Sequence, residues 1–372
     1  MTVTAAYPYV EVRVVPPPPP VVQRSPGVIA VVGKSNAGSA ADNVPVRVDS
    51  LSDARTLVGD TSALYQSLEA AFLQQPRASK VYAVKVGGEN YAAALAGLEA
   101  ADDVTMVSLA GETDVGTGGA TPTKLQALKK HVETMDAGGQ RMIAFAMVDP
   151  ATAKSPTYVA DVADKVKNLA SSRMVLVAAR GAASDAATAT MAAVAGLPVH
   201  HSVVLKPVRG VSIPVEQQYS PAEVKGLAER KIIPLIDPTL ISGESVHLAD
   251  GWPFGPEDRH VDLLRTMDDA EARLRAGLIG LVGDARITKP GLTLLRTVID
   301  GILETMRRQQ VIDAYSIEIP VLDLLRIPEA ARVRADKDAI RTARDARAVD
   351  VAVVVTYGPA LSRLLLTLKI EH

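Results

Sequence analysis

The chain contains no cysteine, which excludes disulfides, thiolate nucleophiles and thiolate-held metals. Aromatic side chains are scarce, with three Phe and one Trp (Trp252) in 372 residues. That weakens any reading in which bases stack on aromatic platforms, such as single-strand nucleic-acid binding. No uninterrupted apolar run reaches the roughly 18 residues needed to cross a bilayer, so no membrane insertion is expected. A basic segment followed by an apolar stretch is missing near residue 1, so no secretory signal is expected. Charge of one sign is lacking as well. The 40 basic and 42 acidic residues leave a formal net charge of −2, and that balance creates no global field for nucleic acid or an anionic membrane. The histidines (131, 200, 201, 247, 260, 372) lack ligand spacing. His200 and His201, read as neighbours on a strand, would point to opposite faces, so no metal is expected.

What is present suffices for buried cores. Apolar residues make up 48%, and the length predicts about two to three domains. Val28–Gly33 reads as a buried strand, Val44–Val48 as a short strand placed at an edge by Pro45, and Val81–Val86 as another strand. Helices are expected from Ser52–Asp53 and over Ser62–Gln75. The middle alternates: strands at Val104–Leu109, Met142–Val148 and Met174–Ala179, helices at Thr121–Met135, Tyr158–Ala170 and Ser184–Ala195. That rhythm predicts a mostly parallel sheet flanked by helices. Further on, Ile232–Ile236 reads as a strand, Asp258 as the cap of a long helix ending near Leu278, and Pro290 as the start of a second helix. Ala314–Pro320, Val349–Thr356 and Leu364–Ile370 read as strands.

Candidate chemistry is thin. Gly33-Lys34-Ser35 follows a strand as the end of a phosphate-binding loop does. The motif's first glycine, however, should stand at position 28, which is Val. Gly116, Gly118 and Gly119 fit no dinucleotide fingerprint. Asp268, Asp269 and Glu271 share a helix with Arg265, Arg273 and Arg275, as on a solvated or interface face. Arg332, Arg334, Lys337, Arg341, Arg344 and Arg347 cluster among Asp336, Asp338, Asp345 and Asp350. This reads as a surface helix or linker, with docking to an acidic protein as the sharper alternative. No catalytic residue, cofactor or metal ligand is assigned, and the chain is read as a non-enzyme.

The two ends are the most informative segments. Tyr7 to Val15 alternates like a strand and runs directly into Pro16–Pro20. Five prolines in polyproline II geometry span roughly 15 Å with little flexibility. A strand needs partners for its backbone groups, and a strand held off on a stiff spacer suits pairing with another molecule's sheet. The chain is therefore read as a polymer subunit.

Segments along most of the length resemble the tail sheath proteins of contractile phage tails and related injection systems. Pro26–Gly33 resembles the family's first core strand, Asn43–Ser50 with Leu51–Gly59 (LSDARTLVG) its next motif, and Val81–Val86 the strand after it. Ala192–Val211 is similar to the exit from the inserted domain, Arg259–Leu278 to the first helix of the C-terminal domain, and Val349–Ile370 to the terminal hairpin. The resemblance implies an α/β and α+β multidomain fold. An arm (1–23) precedes the first part of an inner domain (24–95). An inserted βαβ outer domain (96–215) follows, then a C-terminal inner domain (216–347) with two long helices and a terminal mixed sheet, and a hairpin with linking strand (348–372).

It further implies stacked hexameric rings around an inner tail tube, with baseplate and tail terminator proteins as further partners. The particle would be a virion tail or injection system assembled in the host or producer cytoplasm. Tyr9, Val10, Glu11, Val12, Arg13, Val14 and Val15, and Leu364, Leu365, Leu366, Thr367, Leu368, Lys369 and Ile370, would join a neighbour's C-terminal sheet. Hinges would lie near Pro16–Pro20 and around Gly358 and Pro359. The competing expectation is an α/β nucleotide-binding protein or enzyme, and fold rhythm alone does not supply that function.

Overall fold

The computed structural model describes residues 27–116, 123–238, 241, 243 and 245–359. Elements follow one another as β1 (Val28–Gly33), β2 (Pro45–Val48), α1 (Leu51–Val58), α2 (Ala63–Phe72), β3 (Lys80–Lys85), α3 (Tyr91–Leu98), β4 (Met106–Leu109), α4 (Lys124–Ala137), β5 (Ile143–Met147), α5 (Tyr158–Val166), β6 (Met174–Ala178) and α6 (Ala186–Gly196). Then come β7 (Pro207–Val208), α7 (Pro221–Glu229), β8 (Ile232–Ile236), β9 (Val246–Leu248), α8 (Val261–Leu278), α9 (Lys289–Arg308), β10 (Ala314–Glu318), α10 (Pro320–Arg326), α11 (Arg334–Ala346) and β11 (Ala352–Thr356).

Nine strands form one mixed sheet in the order β2-β3-β1-β4-β5-β6-β8-β9-β7. The six from β3 to β8 run parallel, and β2, β9 and β7 join antiparallel at the two sides. β2 is an edge strand, where Pro45's missing N–H does least harm. Alternation along each strand sends side chains into two cores. Ile29, Val31, Phe145 and Val177 face α1, α2 and α6, and Val28, Ala30, Val32, Ala144 and Leu176 face α3, α4, α5 and α7. Such two-faced burial explains why these strands read as continuous apolar runs.

Helix starts follow local side-chain chemistry. Ser50, Ser62 and Asn90 accept from the backbone N–H groups of Asp53, Tyr65 and Ala93. Thr123 and Ser220 form reciprocal capping boxes with Gln126 and Glu223. Asp258 does not cap α8: His260 holds that position without a side-chain bond, while Asp258 binds Lys231 Nζ at 2.9 Å. Lys231 also donates to the carbonyls of Gly255 and Glu257, so its ammonium draws the carboxylate away from the helix.

β1 hydrogen-bonds β3 on one side and β4 on the other, so the sheet runs unbroken across the 95/96 boundary read from the sequence. α3, whose run YAAALAGL carries no polar face to set a helical period, packs with Gly97 against the Asn43 carbonyl. A Cβ at Gly97 would lie 2.0 Å from that oxygen. Gly97→Ala is expected to lower stability by about 1–3 kcal/mol, read by urea denaturation.

A third core belongs to the C-terminal module. Leu292, Ile299, Leu303 and Met306 of α9 pack with Ile312, Ile317, Leu322 and Ile340. α8 links the layers: Val261 and Leu264 enter the first core, and Ala270, Leu274 and Leu278 pack on the third.

Candidate assembly surface

Beyond the carboxyl ends of the parallel strands lies an open cleft of about 790 Å³, lined by Ser67, Gly111, Asp149, Ser184 and Asp185 among others. Sheet order reverses between β1 and β4, and ligands of open α/β sheets bind beyond the carboxyl ends at such a point. There Asp185 accepts from Ser67 Oγ (2.6 Å), Gly111 N (2.9 Å) and Thr188 N (2.9 Å) and Oγ1 (2.6 Å). Ser35 turns inward to the Val58 carbonyl, and Lys34 pairs with Glu89. The segment after Lys34–Ser35 leads into β2 and not into a helix, as a strand ending in a polar loop predicts.

Past β6, Arg180 is 1% exposed and stacks between Tyr158 and Tyr219, at 4.4 and 4.7 Å from the ring centroids. Its guanidinium donates to Gln217 O, Gln218 O and Glu223 Oε1. Burial alone would raise the Glu223 pKa, but hydrogen bonds from Arg180 and Ser220 hold it down at about 2.

His200 and His201 lie in a turn after α6, edge to face, and not on a strand. Among the described residues no group of three or more His, Asp or Glu could hold a metal ion. No helix among them is long and apolar enough to cross a membrane. The basic cluster forms α11, with Arg334, Lys337, Arg341 and Arg344 exposed and Ile340 and Ala343 buried beneath. Arg332 lies apart, donating to the Leu325 and Ile327 carbonyls at the end of α10.

Asp268 and Glu271 do more than cover a solvated face. They tie α8 to the large sheet. Arg173, just before β6, binds Asp268 at 2.6 Å and Asp136 at 2.8 Å. Arg141, just before β5, binds Asp136 at 2.6 Å and Glu271 at 2.7 Å. Arg275 bridges Glu271 and the Gly139 carbonyl. Asp269 pairs within the helix with Arg273. Arg265, whose guanidinium burial lowers to a pKa of about 10, donates to the Leu197 carbonyl. Arg173→Ala removes a buried guanidinium and leaves the half-buried Asp268 carboxylate without its closest partner, and is expected to cost about 2–4 kcal/mol in urea denaturation. Arg275→Ala, at an exposed pair, is expected to cost about 1 kcal/mol or less.

The feature suited to assembly is the β10–β11 pair. Ala314–Glu318 runs antiparallel to Ala352–Thr356. Ile317 is buried, and Tyr315, Val351 and Val353 pack inward on the third core, while Ser316 and Val354 point to solvent. Val354 is 61% exposed. Two strands alone are marginal in water, and here the helices beneath hold them. Among the described residues neither outer edge has a partner strand, so both present the backbone template on which another strand can pair.

Beneath β11 lies a groove of about 690 Å³. Leu263, Met267, Leu274 and Leu278 of α8 line it together with Val353, Val355 and Tyr357, and the ion-paired Asp136, Arg141, Arg173, Asp268, Glu271 and Arg275 form a charged part of its wall. Tyr357 donates to Asp262 Oδ2 at 2.9 Å, fixing the end of β11 to the first turn of α8. A Cβ at Gly358 would lie 2.3 Å from Asp313 Oδ2, the tip of an exposed side chain that can turn aside.

Of the residues expected to link subunits, Tyr9–Val15 and Leu364–Ile370 lie outside the described residues, as do Pro16 and Pro20. Gly358 and Pro359 are placed at the end of the module, just past the Tyr357 anchor. Sequence reasoning missed Arg180, Asp185, Arg173 and Tyr357, whose partners are all remote in the chain except for Asp185's own helix cap at Thr188.

No curated protein sequence matches the chain significantly. Solved structures match over its whole length. A chain of the anti-feeding prophage baseplate, 6-fold symmetrised by cryo-EM, has a TM-score of 0.70 at 13% identity, covering 100% of both chains. The sheath complex of the extracellular contractile injection system PVC, in the contracted state, has a TM-score of 0.69 at 16% identity, covering 100% of this chain and 99% of that one. The sheath tail protein of Desulfitobacterium hafniense has a TM-score of 0.59 at 11% identity, covering 84% and 93%. The architecture is thus that of contractile-sheath proteins. A family profile described as "DUF2586, N-terminal domain" matches residues 21–264, and the chain belongs to that family.

Proposed function

We propose that this chain is the structural subunit of a contractile sheath and not an enzyme. The observation that carries the reading is the β10–β11 pair, unpartnered at both edges among the described residues and mounted on its own helical core. Fold likeness to sheath chains over the full length supports it.

On this reading Tyr9–Val15 and Leu364–Ile370 of neighbouring copies add strands to the pair. Main-chain hydrogen bonds supply strength and alternating side chains fix register. Subunits form hexameric rings stacked helically around an inner tube, between baseplate and terminator proteins, in a virion tail or injection particle assembled in the cytoplasm of the producing cell. Contraction repacks body-to-body contacts while the strand junctions stay closed, and it needs no nucleotide.

The geometry of α8 bears on where such motion occurs. One continuous helix enters both the body core and the module core, and the Arg173 and Arg141 ion pairs brace it. On this reading body and module move as one. Flexing falls to the linkers outside them, near Pro16–Pro20 and beyond Tyr357 around Gly358, Pro359 and Ser362.

Electron microscopy of the purified protein tests the reading: rings, tubes or helical sheaths are expected, and single chains at every concentration would overturn it. A calorimetric nucleotide titration addresses the alternative. Stoichiometric binding abolished by Lys34→Ala would replace the sheath reading with a nucleotide-binding one.

A further inference from the structure

The groove beneath β11 carries an apolar strip contributed by α8 and β11. Its apolar lining is left partly open to solvent: Met267 is 47% exposed and Val355 36%, and Leu263, Leu274 and Leu278 are half-buried. A strand laid along the β11 edge opposite β10 would hang alternate side chains into it.

We propose that in the unassembled subunit this groove is covered by the chain's own residues 363–370, which leave it when the subunit joins a polymer. Three observations select that occupant. The described chain ends at Pro359, two residues past Tyr357, which itself lines the groove. Residues 358–362 (GPALS) include Gly, Pro and Ser, residue types that favour turns. Residues 364, 366, 368 and 370 are Leu, Leu, Leu and Ile, an unbroken apolar row at strand spacing. Length agrees: eight residues extended span about 26 Å, and the groove face of α8 from Leu263 to Leu278 runs about 22 Å.

The inference deepens the sheath reading on which its second half rests. A segment that satisfies its own edge in cis blocks premature pairing and is released by exchange with a neighbour, the logic of a domain swap.

The test uses full-length protein at a dilution where light scattering reports single chains. Met267 oxidation by hydrogen peroxide is followed by peptide mass spectrometry, with fully buried Met306 as the internal standard. Wild-type Met267 is expected to oxidise about fivefold more slowly than in the Leu366→Asp, Leu368→Asp double variant, with Met306 unchanged. Equal Met267 rates with Met306 unchanged overturn the proposal. Should Met306 also react faster, the variant is unfolded, and a cysteine pair decides. Because the chain has no cysteine, Met267→Cys with Leu366→Cys reports one contact. A disulfide within single chains supports the cover, and none, or only cross-linked dimers, overturns it. Polymerisation of wild type is scored separately by microscopy, so protection of Met267 in a protein that never assembles would keep the cis cover and discard the sheath.

Discussion

Deleting residues 1–20 is expected to abolish polymerisation and leave a soluble, folded single chain. The segment removed carries the strand-like run Tyr9–Val15 and the Pro16–Pro20 spacer, and the cores formed by the described residues are built from Val28 onward. Its contribution therefore falls on the contacts between copies. Burying Val10, Val12 and Val14 on a neighbour is worth about 4–5 kcal/mol at roughly 1.5 kcal/mol each. Every 1.4 kcal/mol is about tenfold in an association constant, so the concentration needed for assembly should rise about a thousandfold or more. Microscopy and sedimentation read the assembly, and the thermal transition of the single chain reads the fold. If the truncated chain assembles at wild-type concentrations, strand exchange through the N-terminal arm is wrong, whatever the fate of the wider sheath reading.

Arg180→Ala is expected to cause the largest loss of stability of any single substitution in the body. Arg180 is 1% exposed and is paired with Glu223, whose side chain is 15% exposed. Removing the guanidinium leaves Glu223, the Gln217 and Gln218 carbonyls and the faces of two tyrosines without their partner, and opens a cavity between the rings. Breaking one side of a buried pair costs about 3–5 kcal/mol, so the melting temperature should fall by about 5–10 °C. Arg180→Lys keeps the charge but not the planar fork or the stacking, and should recover less than half of the loss. An effect below about 1 kcal/mol for the alanine variant would mean that the clamp is ornamental.

The same pair carries a pH dependence of definite sign. Glu223 has a folded-state pKa of about 2, against an ordinary 4.5. The unfolded chain thus takes up a proton first as pH falls. The stabilisation is full above about 4.5 and is lost between about 4.5 and 2. In Arg180→Ala that acid sensitivity should shrink to the share held by the Ser220 hydrogen bonds, which a urea series across this window measures.

Much of the architecture was legible because it is encoded locally. Strands buried on both faces write themselves as apolar runs, as in Val28–Gly33 and Ile232–Ile236. Helix starts were legible to within a residue or two: Ser62 caps α2 as read, while the caps of α1 and α4 are Ser50 and Thr123, each two residues from the start expected at Ser52 and Thr121. Where the local signal was mute, elements were missed: the apolar run of α3 carries no period, and β7 and β9 are two and three residues long. Where a remote group competed, the local signal misled. Asp258 has the right chemistry for a cap, but Lys231 from another element captures it.

The candidate assembly surface divides in the same way. That β10 and β11 exist could be read from Ala314–Pro320 and Val349–Thr356. That they pair only with each other among the described residues, above a groove on α8, could not. Arg173 meets Asp268 across 95 positions of sequence and Arg141 meets Glu271 across 130. Such meetings depend on the order of strands in the sheet, which no local rule supplies. By itself, the sequence determined the α/β rhythm and the absence of thiol chemistry, because these depend on composition or on residues within a turn or two of one another. Only the tertiary structure decided that Ser67, Gly111 and Thr188 gather on Asp185 and two tyrosines on Arg180, and that one helix enters the cores of both body and module, because those outcomes depend on which distant side chains the topology brings within reach.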